Sequence, residues 1–318
     1  MRLVAFAVAL TIAANAFAQQ LPESHARDTG SDLLWKKLET RIRNVADKFD
    51  GVMGVAILDL TDARTFFWLN ADRIFPTASS IKIAILLELY RQDQEARAGD
   101  KGKATLDDIY TFDRKDVVED SQVMAGLTAG VTRITNHDLA QFMVAVSDNA
   151  AANVLIDHVG MQNVNATMRR LGLTKTVLRR KMMDIAAAQR GDENVSTPQE
   201  MTRLLEMIYT GKALSKEVSG DLIKQLKTLK KDSYLSYELP ADVELADKPG
   251  SLEGVRTDSG IVFAKNRPFA ISVMTAYDRD ERAAERAISE VALEAYRYFE
   301  MRGKTSHYGR ALPPTEKR

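Results

Sequence analysis

Cysteine is absent from all 318 residues, so no disulfide, no thiolate metal ligand and no lipid-modified cysteine is available. Packing alone has to hold such a chain together. Histidine is scarce too: His25, His137, His158 and His307 show no triad spacing, and those at 137 and 158 fall in helical patterns where a structural role is the simpler reading. Neither a His-Glu-x-x-His pair nor a Gly-x-x-x-x-Gly-Lys phosphate loop nor a Gly-x-Ser-x-Gly elbow occurs. Those gaps remove the usual metal-hydrolase, nucleotide-binding and α/β-hydrolase arrangements. Net charge vanishes, with 44 basic against 44 acidic side chains, so no overall field draws nucleic acid or an acidic partner. The apolar run Leu3 to Ala14 falls short of the roughly 20 residues that a membrane-spanning helix needs. It follows Arg2 and precedes Ala16-Phe17-Ala18, the pattern of a secretory signal peptide cut after Ala18. The sequence therefore predicts a bacterial periplasmic or secreted protein with no stable membrane anchor after cleavage.

What is present has the composition of an ordinary globular protein, 45% hydrophobic. Trp35, Leu38, Ile42, Val45 and Phe49 alternate steps of three and four, which predicts a first helix opening near Ser31. Two β-rich runs follow, Gly51 to Leu60 and Thr65 to Leu69, joined through Thr61-Asp62-Ala63-Arg64 as a hairpin. The chain then enters Pro76 and the helix of Ser79 and Lys82, which ends near Ala98-Gly99-Asp100, and from there to about Gly220 the patterns are helices and loops without a convincing strand. His137 to Val146, Ala150 to Val159, Val164 to Leu171 and a helix opened by Ser196-Thr197-Pro198 lie there, with the irregular passage from Arg179 to Asn194 between the last two. Long irregular loops inside compact domains tend to be functional. Strand character returns in Val243 to Lys248, Gly260 to Ala264 and Pro268 to Tyr277, and a helix from about Arg279 to Phe299 closes the pattern. The two ends of the chain thus share one antiparallel sheet around an inserted helical part. Beyond the signal peptide, 1–18, this divides the chain into an α/β unit (31–76 with 221–302), an all-helical unit (77–220) and a polar tail (303–318).

Three short sites stand out. Ser79 and Lys82 sit three residues apart at the opening of an apolar helix, on one face, where a desolvated lysine could serve as base to the hydroxyl. One Ser-x-x-Lys is expected by chance in about this length of chain, and a helix cap beside a solvated lysine is the bland alternative. Ser147-Asp148-Asn149 lies between two helices, where an Asx cap would look the same. Lys248-Pro249-Gly250 ends a strand, and Arg256 follows in Gly254-Val255-Arg256-Thr257-Asp258; a solvated strand end and a surface ion pair are the corresponding alternatives.

In this order and these contexts the three sites resemble those of the class A β-lactamase and penicillin-binding protein superfamily of serine acyl-transferases, over nearly the whole mature chain. The resemblance implies a three-layer αβα fold of the α+β class, with a five-stranded antiparallel sheet and an inserted all-helical domain. It implies that Ser79 is acylated by a β-lactam or a D-Ala-D-Ala stem, that Lys82 takes its proton and that Ser147 passes a proton to the leaving nitrogen. Asn149 would bind the substrate amide, Lys248 and Arg256 its carboxylate, and the backbone N–H groups of Ser79 and Ser251 the oxyanion. No cofactor and no metal are implied, and the partner is a small molecule met by a monomer. Two positions depart from the family. The loop reads Arg180-Lys181-Met182-Met183-Asp184, with Met182 where a water-activating glutamate is expected, and a thioether accepts no proton. Asp184 is the nearest carboxylate, a candidate replacement or only a loop pin. Pro249 replaces the usual Thr or Ser and removes a hydroxyl. A weak β-lactamase, a penicillin-binding D,D-peptidase and a non-turnover β-lactam or muropeptide receptor all fit such a loop.

Overall fold

The computed structural model describes residues 30–62, 66–230 and 232–313. The expected signal peptide at 1–18, hairpin residues Ala63 and Arg64, and the end of the polar tail lie outside them. Nine helices and nine strands occur among the described residues. In chain order they are α1 (Gly30–Lys48), β1 (Val52–Asp59), β2 (Phe66–Leu69), β3 (Phe75–Pro76), α2 (Lys82–Arg97), β4 (Ile109–Thr111), β5 (Arg133–Thr135), α3 (Asn136–Ala145) and α4 (Asn149–Val159). They continue with α5 (Met161–Arg170), α6 (Ile185–Gln189), β6 (Val195–Ser196), α7 (Pro198–Thr210), α8 (Lys216–Leu226), β7 (Leu245–Leu252), β8 (Val255–Val262), β9 (Phe269–Ala276) and α9 (Glu281–Gly303).

Five of the strands form one antiparallel sheet in the order β2-β1-β9-β8-β7, so the two ends of the chain meet where Val52 pairs with Ala276 and Asp59 with Phe269. Strands β8 and β9 are buried along their whole length, because helices cover both faces. On one face lie α1 and α9: Trp35, Leu38, Ile42 and Val45 from the first, and Ile288, Val291, Ala295 and Phe299 from the second, join Ile57, Ile271 and Val273 in one apolar cluster. Phe269 stacks on Phe299 with ring centroids 4.4 Å apart. Each such side chain, once buried, contributes about 1.5–3 kcal/mol. The other face packs against α7 and α8, and the apolar side chains of α2, α4, α7 and α8 form a larger cluster with Ala246, Ile261 and Ala270. The molecule is thus the α+β, three-layer arrangement expected from the resemblance.

Short strands do occur in the helical middle. β3 pairs with β6, joining the segment that leaves the sheet layer to the one that returns, and β4 pairs with β5. A second difference concerns β7, which does not stop before Pro249-Gly250 but runs through them to Leu252, paired with β8 from Leu245↔Val262 to Leu252↔Val255. Proline has no N–H to give, and an edge strand is where a ladder tolerates that loss; β7 is the sheet's outer strand. No helix among the described residues is long and apolar enough to cross a membrane.

Candidate active site

The turn that carries Ser79 is a 3-10 turn, Ala78–Ile81, and the α-helix proper starts at Lys82. Ser79 and Lys82 therefore sit on either side of the junction rather than both on the helix. The turn is clamped to the sheet by its neighbours. Ser80 Oγ donates to the Lys248 carbonyl at 2.9 Å and lies 2.7 Å from Thr257 Oγ1, which is 2.9 Å from the Thr77 carbonyl. Gly250 is required here: a Cβ at that position would stand 2.6 Å from Ser79 N and 2.9 Å from Ser80 N. Ser79 is left half-buried, lining a cleft of about 380 Å³ between sheet and helices.

Lys82 is buried, 1% exposed, and its ammonium donates to two residues that line the cleft, to the Ser147 carbonyl at 2.6 Å and Oγ at 3.0 Å and to Asn149 Oδ1 at 2.8 Å. Burial drives its pKa well below the usual lysine value, and the second ammonium of Lys248 pushes the same way, against Asp148 and Asp120. Asn149 spends its other amide atom on the Glu119 carbonyl at 3.1 Å. Asp148 is a helix cap, as its place between two helices predicts, but a cap with a second duty. One oxygen accepts from Ala151 N at 3.0 Å, and the other takes the N–H groups of Val123 and Met124, tying the loop before α3 to the start of α4. Ser147 itself has φ of 58° and is one of seven non-glycine described residues with positive φ; Ala78, Asp120 and Met183, which line the same cleft, are three more. Backbone strain concentrated around one cleft marks a place that the rest of the fold holds against local preference.

Lys248, on β7, is equally buried and donates to the Pro249 carbonyl at 2.7 Å. Burial, seconded by Lys230, lowers its pKa to about 8, opposed by Asp247, Asp258 and Asp232. With Ser147 it lines a second cavity of about 450 Å³ that adjoins the first. Ser251 is exposed and lines the Ser79 cleft.

Two of the residues singled out from the sequence are not brought to the cleft. Arg256 alternates with Thr257 along β8, and since Thr257 faces the Ser79 turn, Arg256 faces the opposite layer. There its guanidinium pairs with Glu281 at 2.5 Å and Glu285 at 3.1 Å of α9 and donates to the Leu252 carbonyl at 2.9 Å. Asp184 is exposed and caps α6, accepting from Ala187 N at 3.0 Å. Met182 does line the cleft, 7% exposed, its backbone pinned on both sides by Asn153: Met182 N donates to Oδ1 at 2.7 Å, and Nδ2 donates to the Met182 carbonyl at 3.1 Å.

Asn153 escaped the sequence reading, although it follows Asn149 by one helical turn and so shares its face. Ser80, Thr257, Arg180, Glu193 and Asn194 escaped it as well. Arg180 pairs with Glu193 at 2.8 Å, and Asn194 Oδ1 takes the N–H groups of Arg179 and Arg180, so the loop wall is cross-braced. Nothing in their spacing advertises this, because the partners are brought together by the loop's own path.

A family model described as the β-lactamase enzyme family matches residues 37–299, a span that holds every one of these groups. The chain belongs to that family. β-Lactamase SME-1 of Serratia marcescens is 25% identical over 265 residues, covering 79% of this chain and 85% of its own. The solved structure of an ancestral class A β-lactamase is 26% identical, with a TM-score of 0.73 over 82% of this chain and 100% of that one. A point mutant of PBP-A, solved as an acyl-enzyme complex with penicillin G, shares the fold at 23% identity and a TM-score of 0.73, covering 83% of this chain and 97% of its own. Within the family the chain is a class A β-lactamase-like serine hydrolase.

Proposed function

We propose that this protein is an exported, monomeric β-lactam hydrolase that works through an acyl-enzyme on Ser79. The observation that carries the reading is the Lys82 ammonium, stripped of water, bonded to Ser147 and set three residues from the half-buried Ser79 hydroxyl. A lysine in such a place gives up its proton readily and can take one from a neighbouring hydroxyl. As Ser79 Oγ bonds to the lactam carbonyl carbon, its proton passes to Lys82. The C–N bond of the ring then breaks, and the nitrogen receives a proton through Ser147, whose oxygen Lys82 already touches. The Ser79 and Ser251 N–H groups would hold the oxyanion; losing one such donor typically costs ~10²–10³ in rate. Lys248 faces the substrate carboxylate, and Asn149, with Oδ1 held by Lys82 and one Nδ2 hydrogen by the Glu119 carbonyl, keeps its second Nδ2 hydrogen for the substrate's amide carbonyl. The N-terminal signal-peptide pattern supports a periplasmic or secreted location.

The acyl-enzyme's fate rests on water activation. Met182 occupies the loop wall and supplies no base, and the carboxylates that do line the cleft are Asp120, Asp232 and Glu193, the last engaged by Arg180. This favours slow deacylation and gives weight to a second reading, a penicillin-binding D,D-peptidase that β-lactams arrest. Incubation of the mature chain with nitrocefin and with benzylpenicillin, followed by intact-protein mass spectrometry, tests both. A stoichiometric mass increase that Ser79→Ala abolishes is the expected result; steady nitrocefin turnover distinguishes a hydrolase from an arrested peptidase or receptor. An unlabelled wild-type chain with no turnover would refute the acyl-transfer scheme.

A further inference from the structure

With Arg256 committed to α9, the end of the cleft beyond Ser147 has only Lys248 among the residues singled out from the sequence to face an anion. A second cation stands there. Lys230, in the loop after α8, lines the cavity with Ser147, Lys248, Pro249, Leu229 and Asp232. Its side chain is 3% exposed, and its ammonium is held by the last carbonyls of α8, Leu226 at 2.6 Å and Thr228 just beyond at 2.7 Å, and by Asp247 Oδ1 at 3.0 Å. Carbonyls at a helix C-terminus are a natural seat for a cation. Asp247 precedes Lys248 in β7, so its side chain lies on the other face of the strand. Opposite it sits Gly260, where a Cβ would come within 2.6 Å of the Asp247 Cβ. The Asp247 pair thus ties Lys230 to the strand that carries Lys248, and both lysines line the same cavity.

We propose that Lys230, anchored by Asp247, is a positioning and specificity-determining residue that makes the far end of the cleft a two-cation subsite for a carboxylate-bearing substrate. This rests on the acyl-transfer reading of Ser79. All three Lys230 donors are taken within the protein, so it acts through its field and through Lys248 rather than by touching substrate. The charged groups acting on Lys248 are Lys82 on α2, Lys230 and Asp232 in the loop after α8, Asp247 on β7 and Asp258 on β8. After burial, Lys230 contributes most to lowering the Lys248 pKa, so the two ammonium groups repel each other, a repulsion that an anion bound beside them would relieve.

The test is the second-order rate of Ser79 acylation by benzylpenicillin and by its neutral methyl ester, followed from pH 6 to 10 in the full mature chain. Lys230→Met is expected to slow acylation by the anion about tenfold while leaving the ester within about twofold, and to move the alkaline limb upward as Lys248 loses a like-charged neighbour. Lys230→Arg should keep the anion preference. Asp247→Asn removes the opposite charge and should move the limb downward, a readout that stands even if Lys230→Met does not fold. Equal losses on anion and ester, or an alkaline limb that ignores the charge changes while the wild type still labels at Ser79, overturns the subsite alone. A wild type that does not label overturns the acyl-transfer reading and the subsite with it.

Discussion

Replacing Met182 by glutamate puts a carboxylate on the loop wall that faces the acylated serine, held by the same two Asn153 hydrogen bonds to its backbone. A well-placed general base contributes about 10²–10⁴ in rate. The expected outcome for Met182→Glu is a benzylpenicillin acyl-enzyme whose lifetime falls at least about tenfold, read by mass spectrometry after removal of free drug. Asp184→Asn should leave that lifetime unchanged, since Asp184 is an exposed cap of α6 and asparagine caps a helix about as well. A lifetime that lengthens in Asp184→Asn would show that this loop rearranges to bring residue 184 to the water. At this scale the sequence told which residue types could do chemistry but not which way they point. Ser79, Lys82, Ser147 and Lys248 were legible because local motifs carry them. Arg256 was not, because one step along a strand turns a side chain to the other layer. Lys230 was not either, since its meaning depends on Asp247, far along the chain in another element.

Among the elements, α2 departs furthest from the usual surface helix: from Lys82 to Asp93 every residue is buried, including four charged ones. Burial of Glu88 is offset by a full set of donors, Arg91 Nε and Nη2 at 2.7 Å each, Gln92 Nε2 at 2.7 Å and Thr167 Oγ1 of α5 at 2.6 Å. Gln92 in turn donates to the Val159 carbonyl at the end of α4 and accepts from Ala104 N, so one carboxylate ties three helices and a loop around the segment that begins with Lys82. Burial alone would raise the Glu88 pKa, but its hydrogen bonds to Arg91, Thr167 and Gln92 bring it below the ordinary value. A group lowered in this way stabilises the fold above its unfolded pKa, and that contribution is lost as pH falls through the folded value. Glu88→Ala, which strands the buried Arg91 with only its outer pair to Glu95, should cost about 3–5 kcal/mol in urea unfolding and flatten the acid limb of stability below about pH 4.5. An unchanged midpoint would mean that the network is redundant. Helical periodicity announced α1, α3, α4 and α9. It left α6 unread, five residues inside an irregular loop, and the extent of β7 beyond Pro249, where proline usually reads as a stop.

At the scale of the whole molecule, the sheet and the helical layer each push a buried ammonium toward one cleft, Lys248 from β7 and Lys82 from α2, and desolvation weakens the hold of each on its proton. Function and stability then respond to alkali in opposite directions. Lys248 gives up its proton at about 8, and if it is the cation for the substrate carboxylate, as proposed, the acylation rate for an anionic β-lactam should fall above that pH. The unfolded chain, whose lysines keep the ordinary value of 10.5, binds more protons than the folded one between about 8 and 10.5, so folding stability should rise through this window. Buried Tyr90 and Tyr234 work against the rise only at higher pH, since their phenols are held protonated beyond the ordinary tyrosine value of 10.0 by burial. Urea midpoints measured from pH 7 to 10 alongside acylation rates should therefore diverge, stability level or climbing while the rate declines. In Lys248→Arg the guanidinium stays charged, and the decline should move beyond the range measured. If instead rate and midpoint fell together, the alkaline loss would be unfolding, and the burial of these two lysines would have no part in setting the working pH of the site.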